Sequence, residues 1–150
     1  MTEISICIPT YEFKGDGVKY LSELFDTLQL QTFKDFNIVV SDHSVDDEIH
    51  DFCKEKSKLF EIIYIRNQYG RGNLGPNTNV ALEHGTGRIL KVVYQDDLFV
   101  NRDALQVLKM PMTQDVSGHL ILSVILRMGL LLLGMWFPDG VIRCWRVEIY

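Results

Sequence analysis

Four short apolar runs, separated by segments with helical spacing, constrain the fold of this chain more than any other feature. The runs cover residues 4–8, 36–40, 61–65 and 88–94, and they are rich in β-branched side chains. Between them apolar residues recur every three or four positions, most regularly over residues 18–28. Strands that alternate with helices form parallel sheets. The order β-α-β-α-β-α-β therefore predicts an α/β fold with a parallel central sheet and helices on both faces.

Local signals indicate where these elements begin and end. We expect Pro9 to end the first strand, because proline has no N–H to donate, and Ser44 to cap the second helix. Pro76 suits the start of the third helix. That helix is expected to turn His84 toward the core and to stop at Gly85.

The composition narrows the classes of protein that this chain can belong to. A net charge of −5 argues against binding to duplex nucleic acid, which normally requires a basic face. Cys7, Cys53 and Cys144 have neither zinc spacing nor a disulfide pattern, so we expect free thiols in a reducing compartment. The N-terminus lacks the regions of a signal peptide. These features predict a cytoplasmic protein that does not bind nucleic acid.

Charged residues are distributed unevenly along the chain. Residues 1–103 hold 28 of the 35 charged side chains, and the other 47 positions hold seven. We therefore divide the chain into an α/β part, residues 1–109, and an atypical apolar tail, residues 110–150. The tail is interpreted as the native, truncated or frame-shifted remainder of the same domain.

The apolar segment at residues 120–137 allows three interpretations. It could form core strands or a buried helix. It could form a membrane helix, although 18 residues barely suffice and Arg127 near the middle would cost about 2.5–3.5 kcal/mol. Finally, the reading frame could have shifted near Met110, which the abrupt loss of charge favours. We do not expect membrane association, although this segment would permit it.

Acidic and hydrogen-bonding residues follow the predicted strands. Ligands of open parallel sheets bind at the carboxyl ends of the strands, so these residues are expected to converge. The fourth strand runs directly into Asp96 and Asp97. Two adjacent carboxylates repel each other, and Mg²⁺ or Mn²⁺ bridging to a diphosphate would relieve the repulsion. An ordinary acidic turn is the alternative.

Several motifs of this chain occur in the same order in a known enzyme family. The sequence resembles the large family-2 inverting glycosyltransferases, which have a Rossmann-like GT-A fold that binds nucleotide-diphospho-sugars. The similar segments are I-S-I-C-I-P-T-Y-E at 4–12, L-Q-T-F-K-D-F at 30–36, V-V-S-D-H-S-V-D-D at 39–47, the Asn/Gly-rich stretch at 73–87, and Y-Q-D-D at 94–97. This similarity covers about residues 3–108.

The resemblance implies a hexosyltransferase-type enzyme. Such an enzyme would transfer a sugar from a nucleotide diphosphate, with a UDP-sugar as the expected donor, to a saccharide or lipid acceptor that the sequence does not identify. Asp42 would contact the base, Asp96 would lie near the ribose and diphosphate, and Asp97 would be the main ligand of Mn²⁺ or Mg²⁺, with Asp96 beside it. The positions that the resemblance assigns to the nucleotide are Pro9, Thr10, Tyr11, Glu12, Asp42, Asn73, Asn77 and Asp96.

The chain departs from the family pattern in two places within this region. Gln95 replaces the first acid of the common D-x-D element, so metal binding is expected to be weaker or to depend on Asp97 alone. Ser41 and His43 replace the usual Asp and Gly, which leaves the ribose contacts open.

The catalytic base stays unassigned. In the family it is an acid well downstream of the metal-binding strand, often in a Glu-Asp pair. After Asp103 the acids are Asp115, Asp139 and Glu148, and none belongs to such a pair. This departure favours a chain that binds the donor without transferring its sugar, and a non-catalytic nucleotide-binding module is the alternative function.

A second alternative is an NAD-type Rossmann domain. Residues 70–75 form a G-x-G-x-x-G sequence after a predicted strand, and Asp96 follows about 20 residues later. However, the motif follows the third strand instead of the first. Pro76 also suggests that the helix begins after the last glycine, whereas the true fingerprint has that glycine inside the helix.

Overall fold

The computed structural model describes residues 2–12 and 14–108 in full, together with the backbone of strands at 120–123, 130–136 and 142–148. Four parallel strands form the α/β part: β1 (Ile4–Thr10), β2 (Phe36–Asp42), β3 (Ile62–Arg66) and β4 (Ile89–Val92). All seven residues of β1 are buried, because β1 pairs with β2 on one side and with β4 on the other.

The sheet continues beyond β4, and the part of the chain that is described there contains three further strands. β5 (Leu120–Ser123) pairs with β4 in parallel, and β6 (Leu130–Trp136) and β7 (Ile142–Glu148) add antiparallel strands. The strand order is β3-β2-β1-β4-β5-β6-β7. Of the three interpretations of residues 120–137, core strands agree with the two stretches that are described. No helix in the described part of the chain is long and apolar enough to cross a membrane.

Four helices of the described residues cover the two faces of the sheet: α1 (Gly17–Gln29), α2 (Glu48–Lys56), α3 (Leu74–Glu83) and α4 (Ala104–Leu108). Residues of α1, α2 and α4 share one hydrophobic cluster with β1 and β2, whereas Ala81 of α3 packs in a second cluster on the other face. The predicted parallel sheet with helices on both faces is therefore confirmed. The apolar side chains that α1 buries contribute about 1.5–3 kcal/mol each, and they are Leu21, Leu24, Phe25 and Leu28.

Pro9 does not end β1, contrary to the prediction. The strand continues to Thr10, and Pro9 pairs in register with Ser41 of β2. The backbone bond from Val93 N to Cys7 O shows that Cys7 faces β4, so Pro9, two residues later, faces the same side. The β1–β4 pairing has already stopped at Cys7 and Val92. Proline is tolerated because no ladder bond is lost there.

Other predicted boundaries shift by a few residues. β3 begins and ends one residue later than the predicted 61–65. β4 is shorter than the predicted 88–94 at both ends. Ser44 does not cap α2, whose N-cap residue is Asp47, because the Ser44 hydroxyl accepts a hydrogen bond from Glu12 N at 2.7 Å. His84 is exposed, contrary to the prediction, because it lies at the C-terminal end of α3.

Candidate functional site

The strand order predicts a ligand-binding crevice between the carboxyl ends of β1 and β4. From β1 the chain proceeds to β2 on one side, and β4 returns on the other side, so the order reverses between these two strands. Ligands of doubly wound sheets bind at such a reversal. Tyr11 and Glu12 follow β1, and residues 94–97 follow β4 on the opposite side of the crevice. These two segments are joined by hydrogen bonds between the Gln95 side chain and the Tyr11 backbone.

The acidic pair after β4 belongs to a closed turn. Asp97 N donates to Tyr94 O at 3.0 Å, and Tyr94 N donates to Asp97 Oδ2 at 3.0 Å. Asp96 is exposed and Asp97 is partly exposed. The turn therefore occupies one oxygen of Asp97 with a backbone amide and presents both aspartates at the surface.

These two carboxylates do not form a complete metal site by themselves. The described residues contain no group of three or more His, Cys, Asp or Glu side chains arranged to hold a metal ion. Mg²⁺ typically takes one or two protein carboxylates and completes its octahedron with substrate phosphates and water. The donor set of Asp96 and Asp97 fits that type of site, in which the diphosphate supplies further ligands.

Tyr11 and Glu12 have different environments although they are neighbours. The Tyr11 side chain is 41% exposed, which leaves part of the ring accessible to a ligand. The Glu12 carboxylate instead accepts from Gly15 N at 2.8 Å and from Val18 N at 3.3 Å. Val18 lies in the first turn of α1, so Glu12 satisfies an N–H that has no partner within the helix.

Asp42 lies at the end of β2 but is 0% exposed. Its Oδ1 accepts from Ser44 N at 2.7 Å, and its Oδ2 accepts from the Tyr64 hydroxyl at 2.7 Å. Arg66 Nε is 3.8 Å from the same Oδ2. Burial, and then the hydrogen bond to Asp42, raise the pKa of Tyr64, so this phenol stays protonated and donates. The structure thus places Asp42 below the surface, where it organises the β2–α2 loop.

A buried polar network lies beneath the crevice. Asn77 Nδ2 donates to Thr10 O at 2.9 Å, and Asn77 Oδ1 accepts from Ser41 Oγ at 2.7 Å and from Asn67 Nδ2 at 3.2 Å. His43 Nε2 lies 3.1 Å from the carbonyl oxygen of Tyr69. Pro9, Thr10 and Asn77 are buried, and the hydrogen bonds of Asn77 connect the ends of β1 and β2 to α3.

The glycine-rich loop after β3 does not have the geometry of a dinucleotide fingerprint. Asn73 is exposed and caps α3, with its Oδ1 accepting from Gly75 N at 3.4 Å. Gly75 lies inside α3, contrary to the expectation drawn from Pro76. A Cβ at Gly75 would meet nothing nearer than Asn73 Oδ1 at 3.9 Å, so close helix–strand packing does not require this glycine.

No sequence motif indicates Lys91, a lysine of β4 that is 3% exposed. Burial lowers its pKa to about 8, and the carboxylate of Asp97 opposes that shift. The buried amine of Lys91 and the carboxylate of Asp97 therefore interact electrostatically. The sequence feature that could have indicated a buried lysine is its position inside an apolar run, between Leu90 and Val92.

A half-open cavity of about 200 Å³ lies away from this crevice, between α2 and β3. Its position beside the edge strand separates it from the carboxyl ends of β1 and β4. The residues that line it are His50, Cys53, Lys54, Ser57, Ile62 and Tyr64. Of the acids considered downstream, Asp115 and Asp139 fall outside the described residues, and only the backbone of Glu148 is described.

Comparison with known proteins identifies the family. Residues 5–129 match the family described as Glycosyl transferase family 2. The chain belongs to glycosyl transferase family 2. The match continues 20 residues past position 109, where the expected apolar tail begins. The match confirms the resemblance to family-2 glycosyltransferases that the sequence motifs indicated. It also confirms that the family is one of glycosyltransferase-type enzymes.

Two curated relatives of this family-2 chain are glycosyltransferases. Glycosyltransferase GlyA of Streptococcus pneumoniae is 27% identical over 107 residues, covering 71% of this chain and 14% of GlyA. The uncharacterized glycosyltransferase MJ1057 of Methanocaldococcus jannaschii is 30% identical over 97 residues, covering 63% of this chain and 32% of that protein. This chain thus spans less than a third of either relative.

Solved structures of S. aureus TarS share the fold of the family-2 chain. TarS 1–349 aligns with a TM-score of 0.60 at 25% identity, covering 71% of this chain and 31% of TarS 1–349. The same protein in complex with UDP aligns at 28% identity, and its complex with UDP-GlcNAc aligns at 27%, both with a TM-score of 0.60. The GT-A assignment is confirmed by these neighbours.

Proposed function

We propose that this chain is the nucleotide-sugar-binding part of a family-2 glycosyltransferase that uses a UDP-sugar as donor. The family membership and the similarity to a protein solved with UDP and with UDP-GlcNAc support this donor class. The observation that carries the proposal is the crevice at the β1/β4 reversal. There the partly exposed Tyr11 lies next to the acidic turn, and the Gln95 side chain connects the two. The acceptor is a saccharide or a lipid hydroxyl of unassigned identity.

In this proposal Tyr11 contacts the nucleoside and the Asp96–Asp97 turn lies at the diphosphate. Asp97, together with Asp96, holds Mn²⁺ or Mg²⁺. When bound, such a cation neutralises charge on the diphosphate leaving group. A UDP diphosphate is anionic and the chain itself carries a net charge of −5, so an additional positive charge at this turn is electrostatically favourable.

The other predicted contact residues have supporting roles in this proposal. Pro9, Thr10 and Asn77 form the buried floor of the crevice, and Asp42 fixes the β2–α2 loop beside it. Glu12 fixes the start of α1. Asn73 is exposed at the start of α3, where its side chain caps the helix, and in this proposal it is the remaining predicted donor contact.

Isothermal titration calorimetry of the chain with UDP tests the proposal. We expect UDP to bind more tightly with Mn²⁺ than with EDTA, because the cation bridges the acidic turn and the diphosphate. Equal affinity under both conditions would remove the metal from the proposal. Tighter binding of NAD than of UDP would favour the dinucleotide-binding alternative.

Substitution of Asp97 tests the metal role directly. Asp97→Asn replaces a charged oxygen ligand with a neutral amide, so we expect UDP affinity in Mn²⁺ to fall at least about tenfold. Affinity in EDTA should change little. The matched control is Asp26→Asn, which makes the same change at an exposed position on α1. If both variants bind UDP like the parent, Asp96 and Asp97 form an ordinary turn.

A further inference from the structure

The backbone of β1 loses its partners on the β4 side before the strand ends. Among the described residues, the bond from Val93 N to Cys7 O at 3.0 Å is the last backbone hydrogen bond between these strands. Pro9, the next residue that faces β4, has no N–H to satisfy. Thr10 faces the opposite side, where its carbonyl accepts from His43 N at 3.0 Å. Tyr11 therefore directs its N–H and C=O toward the β4 side, where the strand has already ended.

The side-chain amide of Gln95 satisfies both of these groups. Its Oε1 accepts from Tyr11 N at 2.8 Å, and its Nε2 donates to Tyr11 O at 3.1 Å. A carboxamide carries a donor and an acceptor on one carbon, as a peptide group does, so Gln95 adds one more rung to the ladder. An ionised glutamate could accept but not donate, and would place a carboxylate against the Tyr11 carbonyl oxygen.

This geometry gives a physical reason for an amide at this position. The Gln95 amide oxygen is engaged by Tyr11 N, which agrees with the expectation that metal binding depends on Asp97 when position 95 is not an acid. A third carboxylate beside Asp96 and Asp97 would also add repulsion to the turn. The residue after Tyr11 is held as well, because Glu12 N donates to Ser44 Oγ at 2.7 Å.

We propose that Gln95 is a positioning residue that fixes Tyr11 relative to the Asp96–Asp97 turn and thereby sets the affinity for a nucleoside diphosphate, without binding the metal. Its side chain holds the segment assigned to the nucleoside, while its backbone leads directly into the segment assigned to the diphosphate. The ligand follows from the proposed function, on which this assignment rests. The connection between the two segments is a property of the chain without ligand.

Titration of UDP into Gln95 variants tests the effect on affinity. Gln95→Ala removes two neutral hydrogen bonds from the framework of the site, so we expect affinity to fall about tenfold in Mn²⁺ and by the same factor in EDTA. Gln95→Glu should weaken binding at least as much, although it adds a carboxylate next to the turn. Gln106→Ala, an exposed glutamine on α4, is the matched control and should bind like the parent.

Three outcomes of this titration would overturn the assignment. Unchanged affinity in both Gln95 variants would show that the amide does not position the site. A loss in Gln95→Ala that appears only with Mn²⁺, or tighter Mn²⁺-dependent binding by Gln95→Glu, would identify position 95 as part of the metal site.

Amide hydrogen exchange in the absence of nucleotide tests the connection separately. In Gln95→Ala we expect the Tyr11 amide to exchange at least about tenfold faster, while the Cys7 amide in the core keeps its protection, which shows that the sheet is intact. Unchanged exchange at Tyr11 would overturn the connection. A parent chain that binds no UDP would overturn the proposed function and the effect on affinity, whereas the exchange rates would still decide whether Gln95 holds Tyr11.

Discussion

At the scale of single residues, chemical type is visible in the sequence but the partner of each side chain is not. Asp42 and Glu12 have the chemistry expected of nucleotide contacts. In the fold, Asp42 accepts from Tyr64, 22 positions away, and Glu12 accepts from two backbone amides near the start of α1. Gln95 was noticed as a departure from a motif, yet its partner, Tyr11, lies 84 positions earlier. Only the register of β1 beside β4 brings these residues together.

Two glycines in the first turns of helices provide a prediction at this scale. A Cβ at Gly17 would lie 2.5 Å from Glu12 Oε2 and 3.0 Å from Glu12 Cα, whereas outside its chain neighbours a Cβ at Gly75 would meet only Asn73 Oδ1, at 3.9 Å. We expect Gly17→Ala to destabilise the chain by about 1–3 kcal/mol through overpacking. Gly75→Ala should change the free energy of unfolding by less than about 1 kcal/mol, because the helix preference of alanine is offset by crowding of its Cβ against Pro76.

Urea denaturation of the two glycine variants and the parent measures this difference. The pair is matched because each change adds one methyl group in the first turn of a helix. Equal free energies of unfolding for Gly17→Ala and Gly75→Ala would contradict the close contact between Gly17 and Glu12.

At the scale of elements, the types of β1 to β4 and of α1 to α3 followed from the sequence pattern, whereas α4 was not predicted. The α1 pattern gave bounds within about a turn of Gly17–Gln29 because its apolar stripe is complete. Strand ends were less predictable. Pro9 is accommodated because β4 stops short, and no local signal shows how long a neighbouring strand is. The apolar run at 120–137 has no clear period, so strands and a buried helix could not be separated from sequence.

The central strand also carries a testable pH dependence through Cys7. This thiol is 0% exposed, and burial raises its pKa to about 12 from 9.0. Below pH 9 the thiol is protonated in both states. Above pH 9 the unfolded thiol ionises while the folded one keeps its proton, so the free energy of unfolding falls as pH rises toward 12.

We therefore expect the parent to lose about 2 kcal/mol more stability than Cys7→Ala between pH 8 and pH 10.5. The pKa values of Cys53 and Tyr64 are also raised, so these two groups also lower the free energy of unfolding as pH rises. Their contributions are present in both proteins and cancel in the difference. Urea denaturation across this range measures it, and parallel pH profiles for the two proteins would contradict a buried, protonated Cys7.

At the scale of the whole molecule, topology creates the candidate site. The sequence predicted a parallel sheet, but periodicity does not specify that β4 returns on the far side of β1. That return produces the crevice and brings Tyr11 next to the acidic turn. It also explains why the G-x-G-x-x-G sequence after β3 is a weak indication of dinucleotide binding, since the motif is not at the strand end where the order reverses.

The central claim is that a nucleoside diphosphate and its cation bind at the carboxyl ends of β1 and β4. Paramagnetic broadening of backbone amide resonances by Mn²⁺ in the presence of UDP maps the cation directly. We predict the strongest broadening at Asp96 and Asp97, clear broadening at Tyr11, and little at His50 and Cys53 beside the α2–β3 cavity. Broadening centred on that cavity, or spread evenly over the exposed carboxylates, would contradict a nucleotide site at the β1/β4 crevice.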